Sequence, residues 1–389
     1  GIIVFNGFTL YSNGVNNNIK TIAHRGYVEK GVENSIEALE AAAKAGVDYV
    51  EMDVLMTKDN KFIVMHDYNL KRLTGINKKV QDMTYNELVG LPISQSGHTS
   101  KIPSFEEYVK RAKELNIKLV VELKPHGGEP NNYVDIFIEK VKELNIENNY
   151  KYMSLDLKVM EELESKAPQL ETGYIIPFQF GKFSNNNVDF FAIEDFSFSN
   201  TLVEQAKSQN KSVYVWTIND PSLITKYLQS PANGIITDEP VQVRETKEKL
   251  EKKISDFKNK KYNFKFAEFG CRRRLSREWQ EEVVKKLSSE TQNIVGTSNV
   301  FLAMKYNLVP IGTYAHEYVQ MYQGIDSIPL SYTNHYALKD WYDEYKGDNG
   351  TALTDTITTD LFLRDFDRSM VNNYTGVRLS LIHISEPTR

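Results

Sequence analysis

Apolar runs alternate with stretches of helical period from residue 21 to residue 240. Short apolar runs at 21–24, 49–54, 118–123, 150–155, 173–176, 188–193, 212–217 and 234–237 read as strands. Between them, apolar residues three and four apart mark amphipathic helices at 35–45, 104–115, 133–144, 158–166, 200–209 and 222–228. Strand and helix in alternation imply parallel strands joined by crossover helices. Eight such units in roughly 220 residues predict a closed α/β (β/α)8 TIM barrel, with its chemistry at the C-terminal ends of the strands. One further apolar run, 62–65, interrupts the alternation early.

The pattern changes after residue 243. Residues 244–261 (RETKEKLEKKISDFKNKK) are charged and lack Gly and Pro, which predicts a solvated helical linker rather than a partner-binding segment. From residue 262 the chain is richer in Tyr, Arg and Asn, and no internal repeat or low-complexity segment appears. The opening GIIVFNGFTL is apolar but short. It fits equally the tail of a membrane span or signal segment, within a leader of residues 1–20, and a buried first strand.

A length of 389 residues accommodates a large domain and a smaller one. Hydrophobic residues at 41% and charged residues at 25% are ordinary for a globular protein. The net charge of −5 offers no basic field for nucleic acid. The single cysteine, Cys271, excludes an intrachain disulfide. No run reaches the roughly 18–20 apolar residues of a membrane span.

Four charged clusters fall at the ends of the predicted strands: His24-Arg25-Gly26, Glu51-Met52-Asp53, His66-Asp67 and Glu122-Leu123-Lys124. Residues two apart on a strand share a face, so Glu51 and Asp53 point one way and Met52 the other. Two carboxylates on one inward face repel unless a cation lies between them. Taken singly, each cluster also fits a blander role: a surface ion pair for an E-x-D, a hydrogen-bonded core histidine for His24. Charges gathered at one barrel mouth, however, are costly unless paired or metal-bound, and their joint occurrence asks for one explanation.

The runs AHRG, ENSIEAL, GVDYVEMDV, TKDNKFIVMHDYNLKRLTG, IPSFEE, VVELKP, VYVWTIND and GIITDEP, in this order over residues 21–243, resemble the glycerophosphodiester phosphodiesterase family. The resemblance implies metal-dependent hydrolysis of a small-molecule glycerophosphodiester to glycerol phosphate and an alcohol. It implies Glu51, Asp53 and Glu122 as ligands of one divalent cation, Mg or Ca, in keeping with the preference of hard ions for oxygen. His24 and His66 become the general acid and base, in either assignment. Arg25 and Lys124 become phosphate-holding groups, and Trp216 a pocket wall; Glu33 and Asn34 fall at the edge of the site. The attacker is water, or the glycerol 2-hydroxyl through a cyclic phosphate. A barrel kept only for binding phosphate is the non-catalytic alternative, against which the presence of every ligand and both histidines argues.

Residues 262–378 carry FKFAEFGCRRRLSREWQ, VGTSNVFLA, PIGTYAHEYVQ, EYKGDNGTALTDT and FLRDF, and resemble bacterial nicotinate phosphoribosyltransferase. That resemblance implies His316 as a phosphorylatable histidine and Arg272, Arg273 and Arg274 near substrate phosphates. Cys271 stands where that family usually has Thr, and the family's amino- and carboxy-terminal portions are missing. We therefore expect an incomplete second α/β segment without transferase activity. Residues 379–389 (LSLIHISEPTR) resemble an in-frame translation of a transposase-type sequencing adapter.

The two resemblances imply different compartments: a barrel whose parent proteins carry membrane attachment and lie outside the cytoplasm, and a cytoplasmic salvage enzyme. Unless the barrel's parent was cytosolic, this predicts a chimera rather than one natural polypeptide. Amplification across residues 240–265 from source DNA checks that expectation, and a single product with this sequence would overturn it.

Overall fold

A computed structural model describes residues 2–6, 15–179, 181–258, 265–268, 277–290, 292–346, 350–354, 356, 358–374 and 376–380. The chain divides into two compact units, residues 15–249 and residues 1–14 with 250–389.

In the first unit eight parallel strands run in sequence order: Lys20–His24, Tyr49–Met56, Lys118–Leu123, Lys151–Ser154, Glu171–Ile176, Phe190–Glu194, Ser212–Trp216 and Gly234–Thr237. The eighth pairs with the first, Thr237 opposite Ala23, so the sheet closes into the expected barrel. Inward side chains including Ile22, Val120, Ile175, Phe190, Tyr214 and Ile236 fill its interior. Gly173 makes room for one of them: a Cβ there would meet the Phe190 ring at 2.1 Å. Outward side chains, Met52 among them, pack against the helices.

The helices form where apolar spacing and capping agree. In Phe105–Glu114, residues Phe105, Tyr108, Val109 and Ala112 are buried at a spacing of three and four, and the Ser104 hydroxyl accepts from the Glu107 amide. Ser35, Asp156, Ser199 and Asp220 cap the helices Ile36–Lys44, Leu157–Lys166, Asn200–Ser208 and Pro221–Leu228 in the same way.

The early interruption is the strand Phe62–Val64, antiparallel to Tyr49–Met56. It opens a small subdomain with its own apolar core, which contains Leu55, Ile63, Leu70, Leu88, Ile93 and Ile102. A hairpin, Pro92–Gln95 with His98–Lys101, completes it. The charged stretch expected as a linker from residue 244 is helical, but its helix, Pro240–Lys258, starts earlier, directly after the eighth strand of the barrel. Proline at the start and the buried Val243 explain the difference, since both belong to the barrel's packing.

The second unit is an open parallel sheet of six strands, in the order Val309–Pro310, Ile294–Thr297, Lys265–Glu268, Ile2–Asn6, Gly376–Ser380, Thr351–Leu353. The apolar opening of the chain is therefore a strand, paired on one side with Lys265–Glu268 and on the other with Gly376–Ser380. A core including Tyr314, Val319, Leu338, Leu353 and Phe362 accompanies this sheet. Residues 381–389, most of the adapter-like tail, lie outside the described residues. No helix among the described residues is long and apolar enough to cross a membrane.

Candidate active site

Strand register gathers the acidic residues. His24 lies opposite Glu51, and Asp53 lies opposite Glu122, so the carboxylates of the second and third strands share the mouth of the barrel. Ligand oxygens from Glu51, Asp53 and Glu122 fall within 4.8 Å of one another. Burial, with Asp53 and Glu122 alongside, pushes the Glu51 carboxyl well above the usual carboxylate range. Burial and then Asp53 push Glu122 up to about 8. Glu51 Oε1 and Asp53 Oδ1 are buried with no hydrogen-bond partner. An all-oxygen cluster with orphaned buried oxygens and mutual repulsion fits a hard divalent cation.

The remaining oxygens of these carboxylates are held in place. The Arg25 amide donates to Glu51 Oε2 at 3.0 Å, and the Asn34 side chain donates to Asp53 Oδ2 at 2.8 Å. Arg25 and Asn34 both adopt φ of 57°. Gly26 follows at +88°, where a Cβ would meet Ala38 at 2.8 Å. The turn after the first strand is thus folded tightly enough to aim an amide back at the carboxylate.

Each histidine is oriented by an aspartate. His24 Nδ1 is 2.9 Å from Asp238 Oδ1 at the end of the eighth strand, and its Nε2 is 4.0 Å from Glu51. Burial opposes ionisation of Asp238, but hydrogen bonds from His24 and Asn219 outweigh it and keep the carboxyl below its usual range. His66 Nδ1 is 2.7 Å from Asp67 Oδ1. Hydrogen bonds from Arg72 lower the Asp67 carboxyl to about 2. An ionised aspartate at Nδ1 favours a proton on that nitrogen, which leaves Nε2 as the atom for proton exchange. Burial also lowers the His66 pKa below the ordinary imidazole value.

One network ties the subdomain to the site. Glu33 accepts from Arg72 at 2.6 and 2.9 Å, from Gln95 at 2.7 Å and from Arg25 at 3.0 Å. Lys124 Nζ lies 3.5 Å from Glu122 and over the Tyr68 ring.

A cavity of about 160 Å³ brings together His24, Arg25, Glu51, His66, Glu122, Lys124 and Trp216, walled on one side by Met153, Leu155, Ile175 and Ile236. Asp53 lies buried within the acidic cluster. Sequence reasoning gave no role to Asp238, Arg72 or Gln95. Asp238 stood in the GIITDEP run and Arg72 in the TKDNKFIVMHDYNLKRLTG run, whereas no motif contained Gln95. In the second unit, His316 opens the helix His316–Gln323, and Arg272, Arg273 and Arg274 lie outside the described residues.

A closed (β/α)8 barrel with an acidic cluster, the cationic side chains Arg25 and Lys124 and two histidines at its C-terminal mouth defines the class of TIM-barrel proteins with a polar strand-end site. Residues 24–242 match the glycerophosphoryl diester phosphodiesterase family, and the chain belongs to that family. Residues 264–379 match the nicotinate phosphoribosyltransferase family.

A glycerophosphodiester phosphodiesterase from Parabacteroides distasonis is 29% identical with a TM-score of 0.52, covering 61% of this chain and 98% of its own. A phosphodiesterase from Oleispira antarctica, solved with the product sn-glycerol-3-phosphate, is 22% identical with a TM-score of 0.53, covering 59% and 96%; it shows the fold. This chain is 45% identical over 148 residues to a nicotinate phosphoribosyltransferase of Herminiimonas arsenicoxydans, covering 36% of this chain and 37% of that relative. It is 48% identical over 116 residues to that of Yersinia enterocolitica, covering 30% and 29%. The chain thus spans well under half the length of these relatives.

Proposed function

We propose that the barrel hydrolyses glycerophosphodiesters to glycerol phosphate and an alcohol, with one divalent cation, Mg or Ca, held by Glu51, Asp53 and Glu122. The observation that carries this reading is the buried, mutually repelling carboxylate cluster in the same cavity as two aspartate-oriented histidines. The product named with the Oleispira antarctica relative supports glycerol 3-phosphate as the phosphorylated product here.

When bound, the cation supplies charge neutralisation at a phosphate oxygen. Arg25 and Lys124 hold the other oxygens and offset the charge that builds as the P–O bond to the attacker forms. One histidine Nε2 accepts the proton of the attacking hydroxyl, whether water or the glycerol 2-hydroxyl. The other, protonated, gives its proton to the departing alcohol oxygen as that P–O bond breaks. Trp216 and the apolar wall exclude water from one side of the cavity.

Hydrolysis of glycerophosphocholine should vanish in excess chelator and return with Mg or Ca, and Glu51→Gln should abolish the recovery. Full turnover in chelator would sink the reading. We assign no activity to the second unit, which lacks most of its relatives' length.

A further inference from the structure

Arg72 stands where two parts of the site meet. It belongs to the short helix Lys71–Thr74 of the inserted subdomain, and its neighbours Leu70 and Leu73 are buried in that subdomain's core. Its guanidinium donates to both oxygens of two carboxylates. Nε and NH2 reach Asp67 Oδ2 and Oδ1 at 2.7 and 3.0 Å. NH1 and NH2 reach Glu33 Oε1 and Oε2 at 2.6 and 2.9 Å. Planar forks of this kind fix orientation as well as distance.

Each carboxylate carries that orientation to a side chain that lines the cavity. Asp67 Oδ1 is 2.7 Å from His66 Nδ1, and Glu33 Oε2 accepts from Arg25 NH1 at 3.0 Å. Burial opposes ionisation of Glu33, but hydrogen bonds from Arg72 and the charge of Arg25 outweigh it. His66 follows the inserted strand Phe62–Val64, whereas Arg25 follows the first barrel strand. Arg72 bridges the two without itself lining the cavity.

We infer that Arg72 is a positioning residue for phosphodiester cleavage: one guanidinium, acting through Asp67 and Glu33, sets the separation between the His66 imidazole that moves a proton and the Arg25 guanidinium that holds phosphate. This rests on the phosphodiesterase reading and adds to it a residue that touches no reacting atom.

The full chain should be assayed with Mg on sn-glycero-3-phosphocholine as wild type, Arg72→Met, Asp67→Asn, Glu33→Gln, and each of the last two combined with Arg72→Met. The His66 arm is expected to read in kcat and the Arg25 arm in KM. Asp67→Asn should lower kcat about tenfold or more with KM within about twofold, and Glu33→Gln should raise KM about fivefold or more. Arg72→Met should do both, since a misplacement of about 1 Å costs on this scale or more. Because Arg72 acts through these carboxylates, each double variant should lose no more than about twofold beyond Arg72→Met alone. Arg72→Lys keeps the charge but not the fork; it should behave as Arg72→Met does, and it carries the test if the methionine variant does not fold. Wild-type constants in either Arg72 variant overturn the inference, and so do losses that multiply in the double variants. A fall in kcat with KM kept in every variant and a lowered melting transition marks a structural role, and overturns it as well. Activity indifferent to Arg72 leaves the phosphodiesterase standing; a wild type that hydrolyses no glycerophosphodiester removes both.

Discussion

At Glu122 the proton balance of the site becomes a measurable quantity. Its carboxyl sits at about 8 in the folded protein, against an ordinary 4.5. Between those values the folded state keeps a proton that the unfolded chain has released, so folding stability falls as pH rises from about 4.5 to 8. Metal-free protein should accordingly melt at lower temperature at pH 8 than at pH 5, and Glu122→Gln should flatten the slope; calorimetry in chelator reads both. The histidines make a second test. His24→Ala and His66→Ala should each lower turnover by roughly 10²-fold or more with the melting transition retained. Because burial lowers the His66 pKa, the neutral form persists below the pH at which an ordinary imidazole would charge. The three carboxylates and both histidines were legible in the sequence because each lies in a short motif at a strand end. Their orienting partners were less so: Asp238 is 214 residues from His24, and Gln95 is 62 from Glu33.

At the scale of elements, the turn after the first strand couples local backbone to the site. Gly26→Ala would place a Cβ 2.8 Å from Ala38 at φ of +88°, a conformation that costs alanine about 1–2 kcal/mol before the clash is counted. The turn should relax, moving the Arg25 amide off Glu51. We expect a lower melting temperature and a weaker apparent affinity for Mg, read by titrating activity against metal; unchanged affinity would detach the turn from the acidic cluster. The barrel strands matched their sequence reading to within a residue or two, because a strand buried on both faces reads as an uninterrupted apolar run. The hairpin Pro92–Gln95 with His98–Lys101 did not announce itself, since Ile93 is its one buried residue and the others are exposed or part-buried, with no apolar run.

Over the whole chain, the two units differ in closure. The barrel satisfies its own strand edges, whereas the second sheet is open and holds Ile2–Asn6 in its middle. Deleting residues 1–14 would leave that sheet as a three-stranded and a two-stranded piece. We expect limited proteolysis of the deletion variant to degrade residues 265–380 while a fragment covering 15–249 persists with phosphodiesterase activity; a resistant 265–380 fragment would argue otherwise. Large apolar side chains of this unit, Val300, Met304 and Leu363 among them, are exposed. The sequence by itself determined the strand–helix alternation, the barrel and the chemical identity of its mouth, because periodicity and short motifs are local properties of a chain. Only the tertiary structure decided that Glu51 and Asp53 bury oxygens with no hydrogen-bond partner, that Asp238 and Asp67 aim the histidines, and that the opening strand sits between residues 265–268 and 376–380. Those depend on register and on contacts across hundreds of residues, which backbone hydrogen bonding and core packing fix and no local pattern encodes.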